Sequence, residues 1–558
     1  MCNDQGALQV TFAEHIKHTA METTDQSSKM NPFNENVTSG FNPSPWFEEN
    51  KKPLSYSPLS HDIDTDVLVI GGGISGLTTA YCLAKEGRQV ILLEDGNIGS
   101  GETGRTTAHL TCALDDRYVD LEKIFDKKTA QLAANSHMTA IEWIDRTVTL
   151  NAIDCHFRRL DGYLFLHPSD KLESLEEEYE ATKRAGLLTE MVTSIPGIAG
   201  GEQQNSIRFS KQGQFHILMY LEGLAKAFIN AGGTIHTQTK AENITSEGAK
   251  ANGFSVKANH IVVATNTPVN DWVTMHTKQW PYRTYAIAAK IPKGSLPYAL
   301  WWDTGDQDSK WISKPYHYAR LEEFTEEHDL LIAGGEDHRT GQADDESIDE
   351  EDRYGKLLIW AKQHFPSIGS IEYKWSGQVL EPIDSLAYIG RNPGDENIYI
   401  ITGDSGNGMT HGTLGGMIIT DIILERDNPW ISLYSPSRIT LKTTGHYLKE
   451  VGNMVAQFGD WFGHEDISKT DELKPGEGGI LSDGFRKLAV YCDENNTIHT
   501  CSAVCPHLGA ILQWNDDEKT FDCPMHGSRF TTDGKVINGP AISDLKKIDY
   551  HPASEKKC

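Results

Sequence analysis

The chain has 558 residues, 38% of them hydrophobic, which is enough for two to four domains with buried cores. Its 51 Lys and Arg against 79 Asp and Glu give a net charge of −28, which disfavours a nucleic-acid partner, because affinity for nucleic acid depends on basic contacts to phosphate. The same charge fits either a soluble acidic surface or the steering of a cationic substrate. No run of about eighteen apolar residues occurs, so we expect no membrane span.

The start of the chain and its cysteines predict a cytoplasmic protein. The first residues lack the basic segment and apolar core of a secretory signal, and they include Asp4 and Glu14, whereas organellar transit peptides are poor in acidic residues. Of nine cysteines, two belong to a motif described below. The other seven are scattered and odd in number, which fits a reducing compartment better than a disulfide framework.

Residues 1–59 are polar and rich in Asn, Ser, Thr and Pro. A segment of this composition buries too little apolar surface to offset the entropy of folding, so we predict a largely disordered N-terminal extension. Trp46 and Phe47 are the exception, and we expect them to pack on the body of the protein.

A dinucleotide-binding unit follows the extension. Residues 65–70, TDVLVI, form an apolar run of the length of a buried parallel strand. GGGISG follows directly, then a helical pattern that ends at Gly87, and then a second strand that ends on an acidic residue. In such a unit the glycines allow a tight turn and a close approach to a pyrophosphate, and the acid accepts hydrogen bonds from a ribose. The predicted cofactor-binding residues of this unit are Gly71, Gly73, Ile74, Ser75, Gly76 and Glu94.

Residues 60–430 resemble the D-amino-acid oxidase/glycine oxidase family of FAD enzymes. The resemblance rests on residues 99–109, 233–236, 261–266 and 403–412. It implies that the cofactor is FAD, and it implies an α/β Rossmann-type FAD-binding domain with an interleaved antiparallel substrate domain of α+β type. The further cofactor-binding residues that it implies are Arg105, Thr106, Thr107, His109, Ala241, Thr265, Gly403, Gly408, Met409 and Thr410.

The resemblance leaves two roles open for His109. In some relatives that oxidise N-methylated amino acids, a His in this region is bonded covalently to the flavin. The alternative is a polar residue that only supports the flavin site.

Aromatic and charged residues between these motifs are candidates for the substrate side. His317 could act as a general base, and Arg320 could bind a carboxylate with two parallel hydrogen bonds. Each of them could instead be an ordinary core residue, since aromatic stripes and single histidines usually are. We predict catalytic roles for His317, Tyr318 and Arg320. The wider set of candidates is Trp301, Trp302, Tyr316, His317, Tyr318, Arg320 and Trp375.

Residues 431–470 are predicted to be a linker, with helical spacing from His446 to Phe462. Residues 471–558 then contain a C-x-H motif and, fifteen residues later, a C-x-x-H motif. Two thiolates and two imidazoles are the ligands of a Rieske [2Fe–2S] cluster, in which two Cys hold one iron and two His hold the other. Structural zinc is the alternative, although zinc fingers usually place both Cys before both His. The predicted metal ligands are Cys505, His507, Cys523 and His526.

This last segment resembles the Rieske ferredoxin family, which implies an all-β domain. The match includes Ser528, whose hydroxyl could hydrogen-bond a sulfur, and Gly539–Pro540, which resembles the loop over the cluster. Respiratory Rieske proteins carry two further Cys that form a disulfide beside the cluster, and Ala510 and Met525 occupy those positions here. The resemblance therefore implies a ferredoxin-like relay.

Together these parts predict an FAD-dependent oxidoreductase that oxidises a small amine or amino-acid-like substrate. Reduced FAD would pass electrons to the intrinsic cluster, and an unidentified acceptor would take them from there. One alternative is an NAD(P)H-dependent reductase that feeds a partner, but the sequence holds no second strand–GxGxxG–helix unit. A Rieske oxygenase needs a further iron domain, and only 32 residues follow His526. A redox sensor in which both cofactors are structural stays open.

Overall fold

This computed structural model describes residues 39–47, 54–270, 275–309, 314–341, 353–440 and 465–550, all of which belong to one compact unit. The disorder predicted for the first residues and the helix predicted at 446–462 lie outside the described residues. The described α-helices are α1 (Ile74–Lys85), α2 (Tyr118–Ile124), α3 (Lys127–Leu150), α4 (Leu172–Arg184), α5 (Ile217–Asn230), α6 (Arg353–His364), α7 (Gly408–Ile423) and α8 (Ile431–Tyr434). None of these described helices combines the length and apolar character that crossing a membrane requires.

The strands fall into four sheets. In chain order they are β1 (Ile63–Ile70), β2 (Val90–Leu93), β3 (His109–Leu110), β4 (Arg158–Phe165), β5 (Thr189–Val192), β6 (Ser206–Gln214), β7 (Thr234–His236), β8 (Ala241–Thr245), β9 (Gly248–Ala251), β10 (Phe254–Val263), β11 (Gln279–Pro292), β12 (Leu300–Asp303), β13 (His317–Glu323), β14 (His328–Arg339), β15 (Ile371–Pro382), β16 (Tyr388–Arg391), β17 (Ile398–Thr402), β18 (Gly478–Asp483), β19 (Arg486–Cys492), β20 (Ile498–Ser502), β21 (Gln513–Asn515), β22 (Thr520–Asp522), β23 (Arg529–Phe530) and β24 (Val536–Asn538).

The first sheet is built around the predicted apolar strand. Its order is β16-β17-β10-β1-β2-β7, and β1 pairs in parallel with both β2 and β10. Residues 67–70 of β1 are all buried, as expected for a central parallel strand with helices on both faces. A Cβ atom on Gly412 of α7 would lie 2.6 Å from the Oγ atom of Ser75, so α7 crosses α1 at close range.

The second sheet has the order β15-β11-β14-β13-β12-β4-β6-β3 and is antiparallel except where β12 pairs with β4. The chain alternates between the two sheets, because β3–β6 and β11–β15 belong to the second sheet whereas β7–β10 and β16–β17 belong to the first. The predicted α/β domain with an interleaved antiparallel domain is therefore confirmed.

The C-terminal part forms two small antiparallel sheets, β18-β19-β20 and β21-β22-β23-β24, so the prediction of an all-β domain is also confirmed. Its core includes Ile511, Phe521 and Phe530. Ala510 and Met525, which occupy the positions of the respiratory disulfide, are buried in the same core.

A short N-terminal segment, residues 39–47, lies between the C-terminal domain and the part of the chain around Gly104 and Thr106. Asn42 Nδ2 donates a hydrogen bond to Asp517 O of the C-terminal domain at 2.7 Å. Ser44 Oγ donates to Gly104 O at 2.5 Å, and Trp46 Nε1 donates to Thr106 O at 2.6 Å. Trp46 is buried, as predicted. The segment thus connects the C-terminal domain to residues 99–109, one of the stretches that carry the family resemblance.

Candidate functional site

The turn between β1 and α1 admits only glycine at its critical positions. Gly71 has φ 110°, and a Cβ atom on it would lie 2.3 Å from Ala264 O. A Cβ atom on Gly76 would lie 2.0 Å from Gly71 O. The first turn of α1 holds no acidic side chain, and no side chain caps it at Gly73. The positive end of this helix is therefore suited to a pyrophosphate.

Glu94 follows β2 beside this turn. Its Oε2 atom accepts a hydrogen bond from Gly72 N at 2.5 Å, and its Oε1 atom accepts one from Gly96 N at 2.9 Å. Burial raises the pKa of Glu94, and Asp95 beside it raises the pKa further. Since a carboxylate oxygen can accept two hydrogen bonds, both oxygens retain capacity for ribose hydroxyls.

A cavity of about 1440 Å³ starts at this turn and takes its walls from both large sheets and from the C-terminal domain. It exceeds the ~300–1,000 Å³ of ordinary small-molecule pockets and is large enough for a dinucleotide together with a small substrate. The predicted site residues that line it are Gly71, Gly73, Ile74, Ser75, Glu94, Arg105, Thr106, Thr107, His109, Ala241, Thr265, Tyr318, Gly408 and Met409.

Three predicted cofactor residues support the cavity without lining it. Gly76 closes the first turn, and Gly403, with φ 72°, precedes α7. Thr410 Oγ1 lies 2.8 Å from His137 Nδ1. The first turn of α7 also lacks acidic residues, and Gly408 and Met409 bring its positive end to the cavity.

His109 lines the cavity with both ring nitrogens in hydrogen-bonding contact. Nδ1 lies 3.1 Å from Thr107 Oγ1, and Nε2 lies 3.3 Å from Ala319 O. Burial, and then the charge of Arg320, lower its pKa to about 3, so the imidazole is neutral. A covalent bond to the flavin through either nitrogen would replace one of these contacts, so the geometry favours the supporting role.

Four of the aromatic candidates line the cavity: Trp302, Tyr316, Tyr318 and Trp375. The ring centroids of Tyr316 and Tyr318 are 5.6 Å apart. Trp301 faces a separate core, where its Nε1 atom donates to Pro196 O at 2.8 Å.

Several carboxyl side chains that the sequence did not single out line the same cavity, and among four of them the charges of three act on the fourth. We call Asp115, Asp116, Asp337 and Glu381 the acidic group. Burial and then the charge of Asp115 raise the pKa of Asp116 to about 7, and burial raises the pKa of Asp337 to about 7. Burial and then Asp116 raise the pKa of Glu381 as well. These residues come from three different elements, so no local pattern could have identified them.

His317 is absent from the residues that line the cavity. Its Nδ1 atom lies 3.0 Å from Asp303 Oδ2, its Nε2 atom lies 2.9 Å from Glu336 Oε1, and its ring stacks on Trp360. Burial lowers its pKa, but the two carboxylates outweigh burial and raise the pKa to about 9. A charged imidazole that is hydrogen-bonded at both nitrogens cannot take a proton from a substrate. The geometry therefore does not support the predicted role of His317 as a general base.

This arrangement predicts a pH-dependent contribution of His317 to stability. Because its pKa rises from 6.5 to about 9, the contribution of ~3 kcal/mol is fully present below pH 6.5 and is lost as pH rises through 9. The pKa values of Asp303 and Glu336 are lowered, so both carboxylates stay ionised across this window. Chemical denaturation should show that the stability difference between wild type and His317→Gln shrinks by ~3 kcal/mol between about pH 6 and pH 10.

The matched control is His61→Gln, since His61 is exposed. This substitution should leave the pH dependence of the free energy of unfolding unchanged. A difference between wild type and His317→Gln that stays constant with pH would contradict the ion-pair assignment.

Arg320 is also fully engaged away from the cavity. Its Nε atom donates to Thr107 O at 2.6 Å, and its Nη1 atom donates to Glu322 Oε2 at 2.9 Å. Its Nη2 atom donates to Phe215 O at 3.2 Å, and its guanidinium lies over the ring of Trp46. With all three nitrogens in use, Arg320 holds the stretch before β3 that carries Thr107 and is not available to bind a substrate carboxylate as predicted.

Arg105 lines the cavity, but its charge is neutralised by the C-terminal domain. Its Nη2 atom lies 2.5 Å from Glu518 Oε1, and both side chains are fully buried. Its Nε atom donates to Ser376 O. Arg105 therefore joins residues 99–109, which carry the family resemblance, to the C-terminal domain.

The two halves of the Cys–His motif fold as matching turns. Cys505 O accepts a hydrogen bond from Gly509 N, and Cys523 O accepts one from Gly527 N, both at 3.0 Å. Gly509 has φ 81° and Gly527 has φ 74°, so each turn depends on the glycine that follows the histidine.

The four predicted ligands meet as two pairs. The Cys505 and Cys523 side chains share a hydrogen bond, and the rings of His507 and His526 are 4.9 Å apart. All four are buried, and within the described part of the chain the Nδ1 atom of His526 has no hydrogen-bond partner. No three His, Cys, Asp or Glu side chains of the described residues group around one point. Two pairs of ligands fit a cluster in which each iron takes two side chains.

Ser528 and His276 surround this centre. The pKa of Cys505 is lowered, first by its hydrogen bond with Cys523 and also by the Ser528 hydroxyl. His276, between β10 and β11, is buried, and its ring centroid lies 5.2 Å from that of His507 and 6.0 Å from that of His526. Sequence reasoning missed His276, because a single His in an unpatterned stretch gives no signal.

Comparison with known proteins supports both the dinucleotide-binding part of the chain and the part that carries the Cys–His motif. Residues 66–422 match the family of FAD dependent oxidoreductases, and residues 464–549 match the Rieske [2Fe-2S] domain. The chain is 31% identical to the putative Rieske 2Fe-2S iron-sulfur protein YhfW of Bacillus subtilis (strain 168), over 89% of this chain and 95% of that protein. It is 28% identical to the gamma-glutamylputrescine oxidoreductase of Escherichia coli (strain K12), over 67% of this chain and 86% of that protein.

Among solved structures, the fold is similar to that of L-proline dehydrogenase from P. horikoshii, with a TM-score of 0.55 and 19% identity. The similarity covers 68% of this chain and 98% of that structure. The chain therefore belongs to the family of FAD dependent oxidoreductases, with an FAD-binding domain and a C-terminal Rieske domain that holds a [2Fe–2S] cluster.

Proposed function

We propose that this protein oxidises the CH–NH bond of a small amine or amino-acid-like substrate, and that the electrons leave through its own Rieske cluster. When bound, FAD accepts electrons in pairs and the cluster accepts them singly. The observation that carries the proposal is that residues 536–539 and 541–543 of the Rieske domain form part of the wall of the large cavity.

The contacts around the cluster support an internal electron path. His507 and His526 are only 7% and 4% exposed, and His276 of the FAD-binding domain packs against both rings. The ligand histidines therefore face the FAD-binding domain. This arrangement favours transfer within the chain over reduction of the cluster by a separate protein.

The substrate side of the cavity supports the loss of two electrons and two protons that converts an amine to an imine. The amine must be neutral before its C–H bond breaks, so a nearby base is required. Asp337 Oδ1 is buried, has no hydrogen-bond partner within the described residues, and belongs to a carboxyl whose pKa is about 7. Asp337 replaces His317 as the candidate proton acceptor.

The relatives support the same reaction class. The gamma-glutamylputrescine oxidoreductase takes its name from an amine, and the structural neighbour is an L-proline dehydrogenase. The cytoplasmic location and the terminal electron acceptor stay predictions.

Anaerobic mixing of the purified protein with a panel of amines, amino acids and NAD(P)H tests the proposal. We expect an amine or amino acid to bleach the flavin absorbance first and the cluster bands afterwards. Bleaching by NADPH alone would show that electrons flow in the opposite direction to the one proposed. The absence of rapid bleaching by any compound would favour the redox sensor.

A further inference from the structure

The acidic group and the aromatic walls form one continuous surface in the cavity. The Tyr316 hydroxyl donates a hydrogen bond to Asp115, and the Tyr316 ring lies 5.6 Å from that of Tyr318. Tyr318 Oη lies 3.4 Å from Thr284 Oγ1, and the Thr284 hydroxyl donates a hydrogen bond to Asp337. Two carboxylates are thus joined through two phenol rings along a single wall.

The other two acids face the same space. Glu381 Oε2 accepts a hydrogen bond from Ser405 Oγ at 2.8 Å, and the charges of Asp115, Asp116 and Asp337 all act on Glu381. The neighbouring cation that acts on Asp115 and Asp116 is Arg117, whose Nη2 atom already donates to Asp303 O at 3.2 Å. Arg353 acts on Asp337, so within the described residues four carboxyl groups face two guanidinium groups.

Two features of this wall fit a cation. The first is the Oδ1 atom of Asp337, which is buried and has no hydrogen-bond partner among the described residues. The second is the pair of tyrosine rings, because the faces of aromatic rings attract ammonium groups. Arg320, the group predicted to bind a substrate carboxylate, is fully engaged elsewhere.

We propose that the substrate is a diamine or polyamine, in which one nitrogen reacts and a second, protonated nitrogen rests on the acidic group. This inference rests on the proposed amine oxidation and specifies its substrate class. A second, protonated nitrogen supplies a counter-charge for these buried carboxyl groups, whereas a monoamine supplies none and an amino acid adds a further negative charge to the same space.

Three probes of equal chain length test the inference. They are 1,4-diaminobutane, n-butylamine, which lacks the second nitrogen, and 4-aminobutyrate, which carries a carboxylate in its place. In anaerobic stopped-flow reduction of the holoenzyme, we expect the second-order rate constant for the diamine to exceed that for butylamine by about 10–100-fold, and that for 4-aminobutyrate by more.

Asp337→Asn and Glu381→Gln should each reduce the preference for the diamine over butylamine by about tenfold, because each removes one carboxyl group that would pair with the second ammonium and keeps the shape of the side chain. The ratio separates charge recognition from proton transfer, since loss of a base slows both amines alike. Glu247→Gln, a substitution of an exposed carboxylate away from the cavity, is the matched control and should leave the ratio unchanged.

If butylamine or 4-aminobutyrate reduces the wild-type flavin as fast as the diamine does, the substrate class is overturned while amine oxidation stands. If none of these probes and no member of the wider panel reduces the flavin, the proposed function fails and this assignment fails with it. Because the three-probe comparison uses the wild-type protein, the test does not depend on how well the variants fold.

Discussion

Cys523→Ala is expected to remove the iron–sulfur cluster while leaving the flavin in place. Cys523 is one of two buried thiols that share a hydrogen bond at the centre of the Rieske domain, and one iron of the cluster depends on that pair. The FAD-binding turn at Gly71 lies in the other domain, where its nearest neighbours are Ala264 and Thr265. Iron and acid-labile sulfide should fall to background, and the electron paramagnetic resonance signal of the reduced cluster should disappear.

The kinetic consequence separates the two redox centres. In the wild type we expect an amine substrate to bleach the flavin and then the cluster, whereas in the variant only the flavin phase should remain. Cys492→Ala is the matched control, because Cys492 is also a buried thiol of the Rieske domain but lies on β19, away from the ligand turns. It should retain iron. A Cys523→Ala protein with wild-type iron content would show that the ligand set is wrong.

The parts of the site that depend on short-range spacing could be predicted from the sequence. The turn at Gly71–Gly76 and the two Cys–His turns are each formed by fewer than about ten consecutive residues, so their geometry follows from local φ values and backbone hydrogen bonds. The alternation of the chain between two sheets could be predicted only through the family resemblance, because no local pattern specifies which sheet a strand joins.

The roles of individual charged side chains could not be predicted, because distant partners decide them. Arg105 looked like a flavin residue, but its guanidinium pairs with Glu518, 413 positions along the chain. His317 looked like a base, but Asp303 and Glu336 approach it from two neighbouring strands. In each case a fully or largely buried charge is stable only beside a group of opposite charge, and the fold determines which acidic residue lies close enough.

The same reasoning explains why the proposed substrate class is narrower than the one predicted from the sequence. A carboxylate-binding Arg320 pointed to an amino acid, and the structure engages that arginine with Glu322 and with backbone carbonyls. Asp115 and Asp337, which come together through Tyr316 and Tyr318, were invisible in the sequence. The excess of acidic residues in the whole chain was the one available signal, and it left steering of a cationic substrate as one of two alternatives without locating a site.

The second large effect is expected at the interface between the two domains, where Glu518→Ala should lower the free energy of unfolding by ~3–5 kcal/mol. Glu518 is fully buried, lies 2.5 Å from Arg105, and accepts further hydrogen bonds from the backbone and hydroxyl of Ser376. Burial raises its pKa, but the charges of Arg105, Arg283 and Arg529 outweigh burial and lower the pKa to about 2.

Removing this carboxylate would leave three buried guanidinium groups short of a counter-charge. The most sensitive is Arg283, whose three guanidinium nitrogens have no hydrogen-bond partner within the described residues and whose charge is balanced by nearby acids. We therefore expect the Rieske domain to lose its docking to the FAD-binding domain. In rapid mixing, the cluster phase should slow relative to the flavin phase even though both cofactors remain bound.

Urea denaturation followed by flavin fluorescence measures the stability change, and Glu190→Ala provides the control. Glu190 pairs with Arg208 at the same 2.5 Å, but both side chains are exposed, so its loss should cost at most ~1 kcal/mol. Because the pKa of Glu518 is lowered, its contribution is present above pH 4.5 and is lost as pH falls toward 2. The difference in the free energy of unfolding between wild type and Glu518→Ala should therefore become smaller as the pH falls toward 2. Equal losses for Glu518→Ala and Glu190→Ala at neutral pH would mean that the buried pair does not hold the two domains together.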